Sequence, residues 1–165
     1  MKVLIDRKKI ARRVKELGRE IDSLYKQKEF TVVVVLKGAF VFAADLIREI
    51  KSDKLTVEFV KLRSYSGTKS GKLNLKFADF ERFRGKELLI IEDIVDTGKT
   101  LSVLVGKLKK IAKSVKICSL FEKSVVNKGR VKIDFLGFDI PKRFVLGYGL
   151  DVDEKFRNLP DIVIK

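Results

Sequence analysis

The chain has 165 residues, 45% of them hydrophobic, enough for one domain with a sizeable core. Lysine and arginine outnumber aspartate and glutamate by 37 to 22, a net charge of +15, which points to anionic partners such as phosphorylated metabolites or nucleic acid, or else to a lysine-rich solvated surface. The absence of histidine and the single cysteine, Cys118, exclude histidine-based triads, zinc fingers and a disulfide framework, so acid–base chemistry falls to Asp, Glu, Lys or Tyr.

Residues 1–13 alternate charge with Ile and Val in place of a secretory apolar segment, and no apolar run is as long as a membrane span. A soluble, cytoplasmic protein without a membrane partner is therefore expected. After a short apolar start at residues 3–5, Asp6 can cap a helix whose Ile10, Val14, Leu17, Ile21 and Leu24 share one face, with Ile5 and Ile10 at the spacing of a hydrophobic staple. Residues 31–36 are an unbroken, largely β-branched run, too apolar for a strand with one wet face, which predicts an interior strand of a parallel sheet. Lys37-Gly38-Ala39 then forms a tight turn into an apolar helix over 40–50, and residues 55–62 read as the next strand. The small, polar, glycine-punctuated stretch 64–72 predicts a loop suited to act as a lid, with 74–77 as a returning strand and 81–86 as a polar connection.

Residues 88–91 read as a buried strand, and the carboxylates Glu92, Asp93 and Asp96 follow directly. Thr97-Gly98-Lys99-Thr100 then opens a helix with Leu101, Leu104, Val105, Leu108 and Ile111 at helical spacing. In an open α/β sheet, ligands bind beyond the carboxyl ends of strands, and a helix N-terminus offers unpaired N–H groups and positive dipole to an anion. The anion site is thus expected at residues 97–100. Carboxylates beside it would repel a phosphate, so they serve another part of the ligand, accepting hydrogen bonds from hydroxyls or holding a divalent cation. A ligand with both a phosphate and sugar hydroxyls meets both demands. Residues 115–121 form another buried strand, and from Ser124 short strands at 133–138, 144–146 and 161–164, separated by turns, predict a small appended hood. The expected fold is α/β: an open, mostly parallel twisted sheet flanked by helices, in a single domain over 1–165 with a small C-terminal β hood at about residues 123–160.

Glu92-Asp93-Ile94-Val95-Asp96-Thr97-Gly98-Lys99-Thr100 resembles the phosphoribosyl pyrophosphate signature of the type I phosphoribosyltransferases, in the form used by hypoxanthine-guanine phosphoribosyltransferases. Leu36-Lys37-Gly38-Ala39 resembles their pyrophosphate loop, and Ser64-Tyr65 heads a stretch similar to their flexible catalytic loop. Lys123, the run Asp134-Phe135-Leu136-Gly137-Phe138-Asp139-Ile140-Pro141, and the segments 144–151 and 154–160 complete a likeness that extends from about Leu36 to Pro160.

The resemblance implies a role for each of these residues. Glu92 and Asp93 would meet the ribose 2- and 3-hydroxyls and touch metal through water. Thr97, Gly98, Lys99 and Thr100, with Asp96 at the head of the turn, would cradle the 5-phosphate. Asp96 would also face purine N7 and relieve charge as N9 attacks the anomeric carbon, making it the catalytic residue. Lys37 and Gly38 would face the pyrophosphate, in a loop where the family can carry a cis peptide before the lysine, and Arg157 would reach the same group. Phe144 would stack on the base, Lys123 would donate to a 6-oxo group, and Val145 and Asp151 would offer backbone carbonyls. The Asp151 side chain would hold a second ion of the expected cofactor, Mg2+. The implied substrates are phosphoribosyl pyrophosphate and a 6-oxopurine, and the implied assembly is a homodimer or homotetramer.

Read without the resemblance, Phe144 is a core residue, Lys123 a solvated lysine, and Arg157 an ion-pair partner of Asp153 or Glu154. Two features depart from the family: the loop after Ser64 is shorter than in many bacterial relatives, and Lys142-Arg143 stands where an acidic or mixed pair is usual. The rivals are a xanthine-preferring transferase and an RNA-binding regulator on the same fold, suggested by the +15 charge. Nucleic acid is not the expected partner, because Asp96, Lys123 and Phe144 would be surplus to it.

Overall fold

The computed structural model describes residues 1–62 and 79–165. The expected lid loop, with Ser64 and Tyr65, and the returning strand at 74–77 lie outside the described residues. In chain order the elements are β1 (Lys2–Ile5), α1 (Arg7–Tyr25), β2 (Phe30–Leu36), α2 (Phe40–Glu49), β3 (Leu55–Lys61), one 3-10 turn (Glu81–Phe83), β4 (Glu87–Val95), α3 (Lys99–Leu108), β5 (Ser114–Glu122), α4 (Ser124–Asn127), β6 (Phe135–Asp139), β7 (Val145–Leu146) and β8 (Ile162–Ile164).

Asp6 caps α1 as its sequence position predicts, accepting hydrogen bonds from the N–H groups of Lys8 and Lys9 at 2.9 and 3.0 Å. The buried face runs Ile10, Val14, Leu17, Ile21 and Tyr25. The last position differs from expectation: Leu24 is exposed and Tyr25 points inward. The Tyr25 ring stacks on Phe30 with centroids 4.0 Å apart, and its hydroxyl donates to the Leu88 carbonyl at 3.3 Å. A large aromatic that can also satisfy a sheet carbonyl fills this corner better than leucine.

The main sheet has the order β3-β2-β4-β5-β6, and every neighbouring pair is parallel. β4 lies at its centre, and Leu88, Leu89, Ile90 and Ile91 are completely buried. Alternation divides the core: Val32, Val34, Leu89 and Ile91 face α1 and α2, while Val33, Leu88 and Ile90 face α3 and Phe83. The chain moves outward from β2 to β3 on one side and from β4 through β5 to β6 on the other. The direction reverses between β2 and β4, which is the topological switch point where ligands bind in such sheets.

The second sheet is antiparallel, in the order β1-β8-β7. Here the sequence reading needs two corrections. The strand expected in the hood at 133–138 is β6, which pairs parallel with β5 as the edge of the main sheet. It is drawn there by Asp134, whose carboxylate accepts the Ile117 N–H at 2.9 Å and pairs with Lys116, and by Arg13 of α1, which donates to the Leu136 carbonyl at 2.7 Å. The hood gains in exchange the apolar start of the chain, which pairs as β1 with β8.

The α1 face gives a direct stability contrast. Ile21→Ala is expected to lower the unfolding free energy by about 2–5 kcal/mol, and Leu24→Ala by no more than about 0.5 kcal/mol, in urea denaturation followed by circular dichroism. Equal losses would contradict this assignment of the buried face.

Candidate active site

Two loops meet at the switch point. The turn after β2 carries Lys37 and Gly38, with a cis peptide between Leu36 and Lys37. The end of β4 carries Glu92 and Asp93. These loops pack so closely that a Cβ on Gly38 would lie 1.6 Å from Asp93 Oδ2. Glycine is therefore the residue that lets the lysine turn sit against the acids.

Glu92 Oε1 accepts the Asp93 N–H at 3.0 Å, and Asp93 Oδ1 accepts the Ile94 N–H at 2.8 Å. One oxygen of each carboxylate is thus fixed by backbone. Burial, reinforced by the adjoining Asp93 carboxylate, pushes the Glu92 carboxyl well above its ordinary range. Two adjoining carboxyl groups offer hydrogen-bond acceptors to a diol.

Beyond β4 the chain turns through Asp96 and Thr97 to Gly98, which has φ of 70° and begins α3 without a side-chain cap. Lys99 N–H approaches Thr97 Oγ at 3.3 Å. The uncapped N-terminus, with the Thr97 and Thr100 hydroxyls, fits an anion. The turn is bracketed from a distance by residues the sequence reading missed. Asn127, buried at the end of α4, places Oδ1 2.7 Å from where a Gly98 Cβ would stand. Its amide donates to Glu122 and to the Val131 carbonyl at 2.7 and 2.8 Å, and Arg130 donates to the Thr97 carbonyl. Nothing in residues 92–100 signals these contacts, because they depend on how α4 folds back.

Lys123 and Asp96 form an ion pair at 2.8 Å, with the lysine side chain 11% exposed and the aspartate 50%. The Lys123 N–H also donates to the Val95 carbonyl at 2.9 Å, anchoring the lysine beside the end of β4. Asp139 holds the adjacent Ser124 through both its N–H and its hydroxyl, contacts that keep the Asp139 carboxyl below the usual range. Lys123 is therefore not a solvated surface lysine. Phe144 is not a core residue either: it is 57% exposed, while Val145 beside it is buried in β7.

The Gly147-Tyr148-Gly149 turn docks the hood on the lysine turn. A Cβ on Gly149 would lie 2.3 Å from the Gly38 carbonyl oxygen, and the Tyr148 hydroxyl donates to Asp45 of α2. Arg157 donates to the Gly149 carbonyl at 2.7 Å and pairs with Asp151 at 2.9 Å and Glu154 at 3.3 Å. Lys37 reaches across to the same Glu154 carboxylate at 2.8 Å. The structure thus brings Lys37, Gly38, Asp151 and Arg157 together around Glu154, which the sequence offered only as an ion-pair partner of Arg157 and not as a partner of Lys37.

Among the described residues, no three Asp, Glu or Cys side chains converge on a point that could hold a metal ion. The donors present are hard carboxylate oxygens in ones and twos. That suits a cation such as Mg2+, which keeps waters and completes its shell with substrate phosphates instead of a protein cage.

A phosphoribosyl transferase domain matches residues 3–153. Hypoxanthine-guanine phosphoribosyltransferase of Bacillus subtilis (strain 168) is 44% identical over 164 residues, 98% of this chain and 91% of that protein. The bifunctional protein TilS/HprT of Listeria innocua is 42% identical over 166 residues, 99% of this chain, which spans 26% of that longer protein. Among solved structures, a hypoxanthine-guanine phosphoribosyltransferase of Bacillus anthracis aligns with a TM-score of 0.91 at 38% identity, covering 100% of this chain and 98% of that one. With nearly the whole chain matched and the acids, the helix N-terminus and the lysine turn gathered at one switch point, the chain belongs to the phosphoribosyltransferase family.

Proposed function

We propose that the chain serves purine salvage by transferring the 5-phosphoribosyl group from phosphoribosyl pyrophosphate to hypoxanthine, and to guanine, giving IMP or GMP and pyrophosphate. The observation that carries this reading is the Lys123–Asp96 pair. A 6-oxopurine presents N7 and O6 side by side on one edge, and a lysine donor next to a carboxylate acceptor meets O6 and a protonated N7 together. An adenine amino group would set donor against donor at Lys123. The exposed Phe144 ring supplies a stacking surface, worth about 1–3 kcal/mol by analogy with other base–aromatic contacts, and the carbonyls of Val145 and Asp151 complete the base pocket.

In the reaction, N9 bonds to the anomeric carbon as the bond from that carbon to the pyrophosphate oxygen breaks and its electron pair leaves with pyrophosphate. The N7 proton passes to, or is held by, Asp96. Glu92 and Asp93 orient the ribose hydroxyls, while Thr97, Gly98, Lys99 and Thr100 hold the 5-phosphate. Lys37, the Gly38 backbone and Arg157 receive the leaving group. Glu92 and Asp93 would hold one Mg2+, directly or through water, and Asp151 a second; when bound, the metal neutralises charge developing on the pyrophosphate. The 64–71 segment, headed by Ser64 and Tyr65, is the lid in this reading and keeps water from taking the place of the purine.

A homodimer or homotetramer is supported by the apolar side chains left exposed at Phe40 of α2 and at Val57 and Phe59 on β3, the outermost strand on its side among the described residues. Among the described residues no helix is long and apolar enough to cross a membrane, and a cytoplasmic site of action accords with substrates that carry several charges.

Steady-state rates with hypoxanthine, guanine, xanthine and adenine test the base assignment. Hypoxanthine and guanine are expected to react and adenine not; preference for xanthine, or nucleic-acid binding without nucleotide formation, would overturn it. Asp96→Asn is expected to reduce kcat by about 100-fold or more while the KM for phosphoribosyl pyrophosphate moves little; equal losses in both would remove Asp96 from the chemistry.

Glu92→Gln keeps the acceptor for the Asp93 N–H but removes the buried charge. Because the native carboxyl titrates above its ordinary 4.5, ionising it opposes folding: the penalty is absent below that value, grows as pH rises and is complete above the native pKa. Glu92→Gln is therefore expected to resist denaturation better than the parent at neutral pH, to match it in acid, and to bind phosphoribosyl pyrophosphate more weakly. Paired melting curves and KM measurements across pH check all three.

A further inference from the structure

The cations assigned to the leaving group are held by a carboxylate of the chain itself. Glu154 Oε2 lies 2.8 Å from Lys37 Nζ and 3.3 Å from Arg157 Nη2, bridging the two. We propose that Glu154 is a displaceable stand-in for pyrophosphate: it keeps Lys37 and Arg157 at the spacing of an anion and sets how tightly that anion, free or within phosphoribosyl pyrophosphate, is bound. This rests on the reading of Lys37 and Arg157 as pyrophosphate ligands.

Three features give Glu154 this role and not that of a fixed brace. First, the two partners come from elements far apart in sequence, the turn after β2 and the hood loop, and Glu154 is the carboxylate that contacts both. Second, its backbone and its side chain are held differently. The Glu154 N–H donates to Asp151 Oδ2 at 2.9 Å, and Val152 and Lys155 exchange hydrogen bonds across it at 3.2 and 3.0 Å, yet its side chain is 63% exposed. The carboxylate can therefore swing away by side-chain rotation while the loop stays in place. Third, Arg157 has little else to release. It holds the Gly149 carbonyl and Asp151, and its buried Nε has no partner among the described residues. Moving Glu154 aside is the change that frees the Lys37 ammonium and opens one side of Arg157 Nη2, which stays paired with Asp151, to an incoming phosphate oxygen. Lys37, and after it Arg157, also hold the Glu154 carboxyl below its usual range.

An internal competitor lowers apparent affinity by the strength of the contacts that must be exchanged. Exposed ion pairs are weak, so Glu154→Gln and Glu154→Ala should each tighten binding of inorganic pyrophosphate by about two- to five-fold, measured by titration calorimetry and as product inhibition, with Mg2+ present. The KM for phosphoribosyl pyrophosphate should fall with it, while the KM for hypoxanthine stays put. Removal of a mere structural brace would weaken binding instead.

Asp153→Asn, which removes the neighbouring exposed charge, separates displacement from a general change in field and should leave pyrophosphate affinity nearly unchanged. Unchanged or weaker pyrophosphate binding in both Glu154 variants, or equal tightening in Asp153→Asn, would overturn the proposal. Lys37→Ala tells the two levels apart. If it weakens pyrophosphate binding but the Glu154 variants do not tighten it, the stand-in role fails and the site assignment survives. If Lys37→Ala has no effect on pyrophosphate, the assignment fails and the stand-in role with it.

Discussion

The site depends on how closely three backbone segments approach at Gly38. On one side a side chain there would collide with the Asp93 carboxylate at the end of the central strand, and on the other its carbonyl abuts Gly149 of the hood. Protein interiors yield little to added volume, so a methyl group at position 38 would have to displace the Asp93 side chain, and one at position 149 would separate the hood from the lysine turn. Because these contacts are steric, they fix the spacing between the end of the central strand, the lysine turn and the hood, while Lys37, Lys123 and Arg157 are left free to change partners.

Burial of β4 has a second effect. A strand covered on both faces carries Glu92 partly out of water before the chain turns outward at Asp96. The acids of the stretch are thereby sorted by depth. The inner one is pushed toward its neutral form and tied to backbone, whereas the half-exposed outer one stays with Lys123. A carboxyl tied to backbone suits orientation of hydroxyls; an exposed, lysine-paired carboxylate suits contact with a base that must enter and leave.

What could be read in advance follows from how local each determinant is. β2, β4 and β5 announce themselves because an interior parallel strand must be apolar along its length. β6 announces itself as a strand but not its sheet, since it is a short edge strand recruited by Asp134 and Arg13, contacts made from β5 and from a helix more than a hundred residues earlier. The 92–100 stretch was legible because its residues act from consecutive positions on one strand–turn–helix unit. Lys123, one lysine among many, gained its place only from a resemblance, and its pairing with Asp96 is a tertiary fact. Asn127 and Arg130 carried no signal of their own, since each matters through a partner about thirty residues away; Glu154 was legible only as a local partner of Arg157, and its contact with Lys37 comes from the fold.

The ion pairs of the site carry one more consequence. Lys123, Lys37 and Arg157 are each matched by a carboxylate of the same chain, so the pocket is locally balanced although the molecule carries +15. Recognition of a polyanion is then an exchange of partners at short range, which mobile ions screen little, while the surplus positive charge lies on the outer surface, where screening acts within about 10 Å at 0.1 M salt. Attraction over distance and grip on contact are thereby assigned to different parts of the molecule. Ionic strength should act mainly on how often the substrate arrives and far less on how long it stays.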